Sequence, residues 1–133
     1  MKQSWSYSLA FEPPSPVVDV DMYLPWEESS QILTQSLQVD SGADMTGVPI
    51  DVLLTLGARP VNVLSVFDFN QRPAEIPIYE ISITICGRNF EVVRVVGIRS
   101  RFGFLGRDVL REFLVELEGR SGETSFSDDY LPP

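Results

Sequence analysis

The chain has 133 residues, 44% of them hydrophobic, which is room for one domain around one modest core. A net charge of −9 would be repelled by nucleic acid and by anionic membrane surfaces, so neither is expected as a partner. With no histidine and Cys86 as the single cysteine, Ser-His-Asp and Cys-His catalysis, His/Cys zinc sites and an internal disulfide are excluded, and carboxylates remain for acid–base chemistry.

The first residues lack the apolar centre of a signal peptide, and no apolar run approaches the ~20 residues of a membrane span, so a cytoplasmic protein is expected. Trp5, Tyr7, Leu9 and Phe11 alternate with small residues, the period of a strand with one buried face. That face would cover the domain's own sheet or a second subunit. Pro13, Pro14 and Pro16 interrupt the pattern. Val18, Val20, Met22 and Leu24 then alternate with Asp19, Asp21 and Tyr23 as a second strand, with the two aspartates on its wet face and not a metal pair. A turn is expected at Pro25-Trp26-Glu27-Glu28-Ser29-Ser30, and Leu33, Leu37 and Val39 carry the next strand into Asp40.

Beyond Thr46-Gly47-Val48, Pro49 and Gly57 bracket a short helix from Ile50 to Leu56. Strands are predicted over 61–69, 76–85 and 90–98, with Cys86-Gly87-Arg88-Asn89 as a tight turn. A helix over 106–113 presents Val109, Leu110 and Phe113, and 114–118 reads as a closing strand. Past Gly119 the chain is polar, with Ser121, Gly122, Ser125, Ser127, Asp128 and Asp129 ahead of Leu131-Pro132-Pro133, and a loose tail is expected. The predicted organisation is an N-terminal strand or arm over 1–15, one domain over 16–119, and a flexible acidic tail over 120–133.

One stretch looks chemical. In Leu37-Gln38-Val39-Asp40-Ser41-Gly42-Ala43-Asp44-Met45-Thr46 a strand runs straight into an acid, a hydroxyl and a glycine, which holds a carboxylate on rigid backbone. Taken alone, Asp-Ser-Gly is most often an ordinary Asx-type turn. A second block, Phe104-Leu105-Gly106-Arg107-Asp108-Val109-Leu110, changes that reading. In this order and spacing the two blocks resemble the active-site segment and the Gly-Arg-Asp/Asn helix block of the retropepsin-like aspartic proteases, a resemblance covering residues 16–118.

The resemblance implies an all-β fold: a closed β barrel or sandwich with a flap hairpin and one or two short helices, in a homodimer. It implies Asp40 as the catalytic acid and Ser41 as the residue hydrogen-bonding across the subunits. Gly42 would admit close backbone approach, Ala43 would pack beneath a bound chain, and Asp44 would reach a peptide N–H. Gly106, Arg107 and Asp108 form the structural second motif, with Arg107 as the partner of Asp44. The flap falls between 61 and 85 and carries Phe67, Phe69 and Asn70, with its tip at Phe69-Asn70-Gln71-Arg72-Pro73. Flaps of this family are often glycine-rich at the tip, whereas no glycine stands between Gly57 and Gly87 here.

Peptide hydrolysis by carboxylates needs one ionised and one protonated acid, and this chain has a single Asp-Ser-Gly. A symmetric pair of chains supplies two. The expected function is therefore an aspartic endopeptidase acting on peptide or protein substrates between two Asp40 carboxylates, without cofactor or metal. The alternative is a catalytically idle dimerisation or peptide-binding module on the same fold. The intact acid motif favours the enzyme, since a binding module has no physical need for a paired acid.

Overall fold

The structure, a computed structural model, describes residues 1–27 and 30–128, so Glu28 and Ser29 of the expected turn and the tail beyond Asp128 lie outside it. Among the described residues ten strands form two sheets, with two short helices beside them. Strand β1 is Lys2–Ser6, β2 Val17–Tyr23, β3 Leu33–Val39 and β4 Gly47–Pro49, followed by α1, Ile50–Leu56. Then come β5 Asn62–Phe67, β6 Pro73–Ile85, β7 Arg88–Ile98, β8 Gly103–Leu105, α2 Arg107–Leu110, β9 Leu114–Glu118 and β10 Glu123–Ser127. No helix among the described residues is long and apolar enough to cross a membrane.

The larger sheet runs β2-β3-β8-β4-β7-β6-β5, and β2 also pairs with β6. That extra pairing closes six strands into a barrel and leaves β5 outside, joined to β6 alone. Strand β6 makes both arrangements possible by its length. Its first half pairs with β5, and beyond Ile78 it turns to β7 and β2 across an irregularity between Ile81 and Ile83.

Period-two alternation builds the core. Val18, Val20 and Met22 from β2 meet Ile81, Ile83 and Ile85 from β6, each at most 1% exposed. Full burial of such side chains contributes about 1.5–3 kcal/mol each. The intervening Asp19 is exposed and Asp21 half-buried, and they accept hydrogen bonds from Ser36 and Thr34 of β3 at 2.7 and 2.6 Å. Leu53 and Leu56 of α1 close one end of the barrel core, and α1 stops where Gly57 turns left-handed at φ 84°.

The second sheet, β1-β10-β9, corrects the expectations at both chain ends. Residues 123–127, expected in a loose tail, form its central strand, with Phe126 fully buried against Trp5 and Phe113. Phe126 takes its whole side chain out of water, and its neighbours Thr124 and Ser125 are buried with it, Ser125 sharing a hydroxyl hydrogen bond with Ser4 of β1 at 2.8 Å. Expected arm and expected tail are thus two strands of one sheet.

The N-terminal strand is shorter than its alternation predicts. It ends at Ser6, and Leu9 stands 86% exposed. Residues 8–15 instead close on themselves through reciprocal Ser8–Ser15 backbone bonds, and Phe11 stacks on Phe102 with ring centroids 4.6 Å apart. The second helix is also shorter, ending at Leu110 instead of Phe113, although Phe113 remains buried.

Candidate active site

Asp40 sits where β3 leaves the barrel. Its strand runs parallel to β8 in the register Leu37↔Gly103, Gln38↔Phe104 and Val39↔Leu105. The next step continues that ladder, since the Asp40 N–H donates to the Leu105 carbonyl at 3.0 Å. Backbone on both sides therefore fixes where the carboxylate emerges.

The chain then turns on its own carboxylate. Gly42 N–H donates to Asp40 Oδ1 at 3.0 Å, and Ala43 N–H to the Asp40 carbonyl at 3.2 Å. A Cβ on residue 42 would lie 3.2 Å from that same Oδ1, tighter than an ordinary contact. Asp40 and Ala43 are half-buried, while Ser41, Gly42 and Asp44 face solvent.

The second block locks onto this turn from behind. A Cβ on Gly106 would come within 2.6 Å of the Met45 carbonyl group, so only glycine lets the two segments cross. Arg107 N–H donates to the Ala43 carbonyl and Arg107 Nη1 to the Ser41 carbonyl, both at 2.8 Å. Arg107 thus grips the backbone of the loop carrying Asp40.

The expected Arg107–Asp44 pair is not formed. The guanidinium bonds the Ser41 carbonyl instead, and Asp44 stays solvated, where an ion pair would be worth only about 0–1 kcal/mol. The acid that ties the two blocks together is Asp108. Thr46 N–H donates to Asp108 Oδ2 at 3.1 Å, and Thr46 Oγ1 and Val109 N–H donate to Asp108 Oδ1 at 2.8 and 2.9 Å. The Thr46 hydroxyl in turn accepts from Gly106 N–H at 3.1 Å, and Thr46 is only 1% exposed. Sequence reasoning gave these two residues no joint role. Nothing local pairs them, since the two residues lie 62 positions apart in the chain.

The structure brings Asp40 to Ala43 and Gly106 to Asp108 into one hydrogen-bonded unit, with Asp44 solvated at its edge. Phe67, Phe69 and Asn70 belong to a separate element, the tip of the β5–β6 hairpin, and share no hydrogen bond with the Asp40 loop among the described residues. The tip needs no glycine because a carboxylate organises it. Asp68 Oδ1 accepts from the N–H groups of Asn70 and Arg72, each at 2.9 Å, while Gln71 takes φ 60°. That turn holds Phe67 and Phe69 out, 73% and 105% exposed.

A barrel closed through β2–β6, a free-standing hairpin and an Asp-Ser-Gly turn backed by a Gly-Arg-Asp helix coincide in one chain. The fold is that of the retropepsin-like aspartic proteases. Solved structures share it. A retropepsin-like aspartic protease from Rickettsia conorii aligns over 95% of this chain and 90% of its own, with a TM-score of 0.63 and 12% identity. The EIAV protease, solved with the inhibitor HBY-793, aligns over 80% of this chain and 92% of its own, with a TM-score of 0.57 and 18% identity. No family model and no curated protein matches the chain by sequence. Among the described residues no cluster of three or more potential metal ligands occurs.

Proposed function

We propose that this retropepsin-like chain is an aspartic endopeptidase that works as a symmetric homodimer, each subunit contributing its Asp40. The observation that carries the proposal is the placement of Asp40. It is a single carboxylate at a barrel-strand end, oriented by its own Gly42 N–H and held on backbone tied to Leu105 and Arg107.

One carboxylate cannot do the chemistry alone. In the pair, the ionised acid takes a proton from water while the protonated one polarises the peptide carbonyl and later serves the leaving amine. Ser41, exposed beside Asp40, is the residue placed to bond across the two-fold axis. Gly42 and Ala43 lie beneath the bound peptide, and Asp44, solvated and without an ion-pair partner among the described residues, is available to accept a peptide N–H. Phe67, Phe69 and Asn70 close over the substrate from the flap.

Cleavage of a mixed peptide library, blocked by a statine-type transition-state analogue, is the expected result. Asp40→Asn is nearly isosteric yet cannot exchange the catalytic proton, so it should abolish turnover and leave melting and oligomeric state unchanged. Turnover persisting in that variant would move the chemistry elsewhere. A folded wild-type dimer that binds peptides without cleaving them would establish the idle binding module instead.

A further inference from the structure

We propose that Arg99 and Arg101, on the loop between β7 and β8, form an anion site that takes acidic side chains of the bound peptide outside the stretch that is cleaved. The inference rests on the peptidase reading above and adds a substrate class: peptides whose cleavable stretch is flanked by aspartates or glutamates.

The chain carries 19 acids against 10 cations, so a local excess of positive charge has to be built in. This loop builds one. Arg99 and Arg101 are exposed, no acid stands between Ile98 and Arg107, and neither arginine makes an ion pair among the described residues. Between them Ser100 turns the loop, its hydroxyl accepting from Phe102 N–H at 3.3 Å. The Arg101 guanidinium lies over the Phe102 ring, 5.4 Å from its centroid, and that ring stacks in turn on Phe11. A guanidinium laid on an aromatic face loses less freedom on binding and keeps its N–H edge for a carboxylate.

The loop opens onto space for side chains. A cavity of about 560 Å³ lies between Ile50 and Asp51 of α1 and the residues from Ile98 to Arg101. A second, of about 310 Å³, shares Ile50, Ile98 and Arg99 with it and reaches Glu75, Ile76 and Pro77 of the β5–β6 hairpin. Asp51 and Glu75 line these spaces without pairing with either arginine, and the larger cavity sets two cations against one acid.

Position decides what the anion belongs to. Strand β8 runs from this loop to Leu105, whose carbonyl accepts from Asp40 N–H. Arg101 precedes Leu105 by about four residues, about 13 Å of strand. The smaller cavity touches the half of β6 that pairs only with β5 and carries the hairpin. A peptide held between the hairpin and Asp40 therefore passes within a few extended residues of both arginines. Exposed arginines hold a lone small anion weakly, whereas a peptide already anchored at Asp40 presents its flanking acids at high effective concentration.

The test compares two peptides that share one cleavable core and are extended, from about four residues beyond the scissile bond, by aspartates and glutamates or by serines and glycines. Wild type is set beside Arg99→Gln/Arg101→Gln and a control, Arg120→Gln, which removes a cation from the turn between β9 and β10. Wild type should cleave the acidic peptide with a KM about 5- to 10-fold lower, the scale of one or two exposed ion pairs, and lose that advantage in about 0.5 M salt. The double variant should treat both peptides alike, with wild-type kcat/KM on the neutral one and a wild-type melt, since both arginines are exposed. Arg120→Gln should keep the preference. If the double variant unfolds, Arg99→Gln alone is read in the same way.

A wild type indifferent to the extension, a double variant that keeps the preference, or an equal loss in Arg120→Gln overturns the assignment. Should the chain cleave neither peptide, the peptidase reading falls, and fluorescence anisotropy with the labelled peptides decides the anion site separately. Tighter binding of the acidic peptide that the double variant loses supports it, and equal binding of the two, or none, overturns it.

Discussion

Thr46→Val is the substitution that asks most of this structure, because it removes one oxygen and preserves shape. The hydroxyl donates to Asp108 Oδ1 at 2.8 Å and accepts from Gly106 N–H at 3.1 Å, inside a site where Thr46 is 1% exposed. Stranding the buried Gly106 N–H costs about 1–3 kcal/mol, and losing a hydrogen bond to a charged group about 1.5–3 kcal/mol. Asp108 is only half-buried and keeps two donors, Thr46 N–H and Val109 N–H, so water recovers part of the second loss. The expected total is about 2–3 kcal/mol, which at this chain length lowers the melting temperature by about 6–15 °C. Thr46→Ser keeps the hydroxyl and loses one buried methyl, about 0.8 kcal/mol. Urea denaturation of the three proteins measures both numbers. A Thr46→Val protein within 0.5 kcal/mol of wild type, or a Thr46→Ser protein destabilised as much as Thr46→Val, would refute the view that the hydroxyl bridges the two sequence blocks.

Arg107→Ala removes a donor from the Ser41 carbonyl at an exposed position and should cost about 0.5–1.5 kcal/mol, whereas Asp44→Ala should stay within about 0.5 kcal/mol of wild type. Equal losses in thermal melts of the two would restore the ion pair that the structure lacks. At the hairpin tip, Asp68→Ala takes the shared acceptor from Asn70 and Arg72. It should raise KM for peptide while changing global stability by less than about 1 kcal/mol, because water reaches the freed N–H groups. Unchanged steady-state kinetics would show that the tip turn has no part in holding substrate.

What could be read from residues alone follows from how local each signal is. Strands β2 and β6 are legible because alternation over a handful of residues fixes which side chains are buried. Helix α1 was marked by its own Pro49 and Gly57. Strands β4 and β8 were not read as strands, being three residues each and lying deep between neighbours, where glycine serves contact better than a branched side chain. A Cβ on Gly47 would lie 2.4 Å from the Phe104 ring, and one on Gly103 would lie 2.5 Å from the Gly47 carbonyl oxygen. Their pairing is decided by partners far away in the chain. Strand β10 was lost for the opposite reason, since Glu123, Thr124, Ser125 and Ser127 look like a tail and Phe126 is its one apolar residue.

The same division runs through the site. The position of Asp40 is a backbone property, set by a strand end, a turn and a glycine, and all three are written in consecutive residues. The choice of which acid anchors the loop is not local. Asp44 lies three residues past Ser41 and invites the pairing, yet residue 44 points to solvent while Thr46 turns inward to 1% exposure. Burial makes partners obligatory for a polar group, so the inward threonine, not the outward aspartate, dictates where the second block must place its carboxylate. Asp108 answers that demand, which leaves Arg107 to bond the Ser41 carbonyl and Asp44 exposed at the surface beside the acid loop. Asp44 makes no ion pair among the described residues, which leaves its carboxylate the full accepting capacity that the role proposed for it calls on.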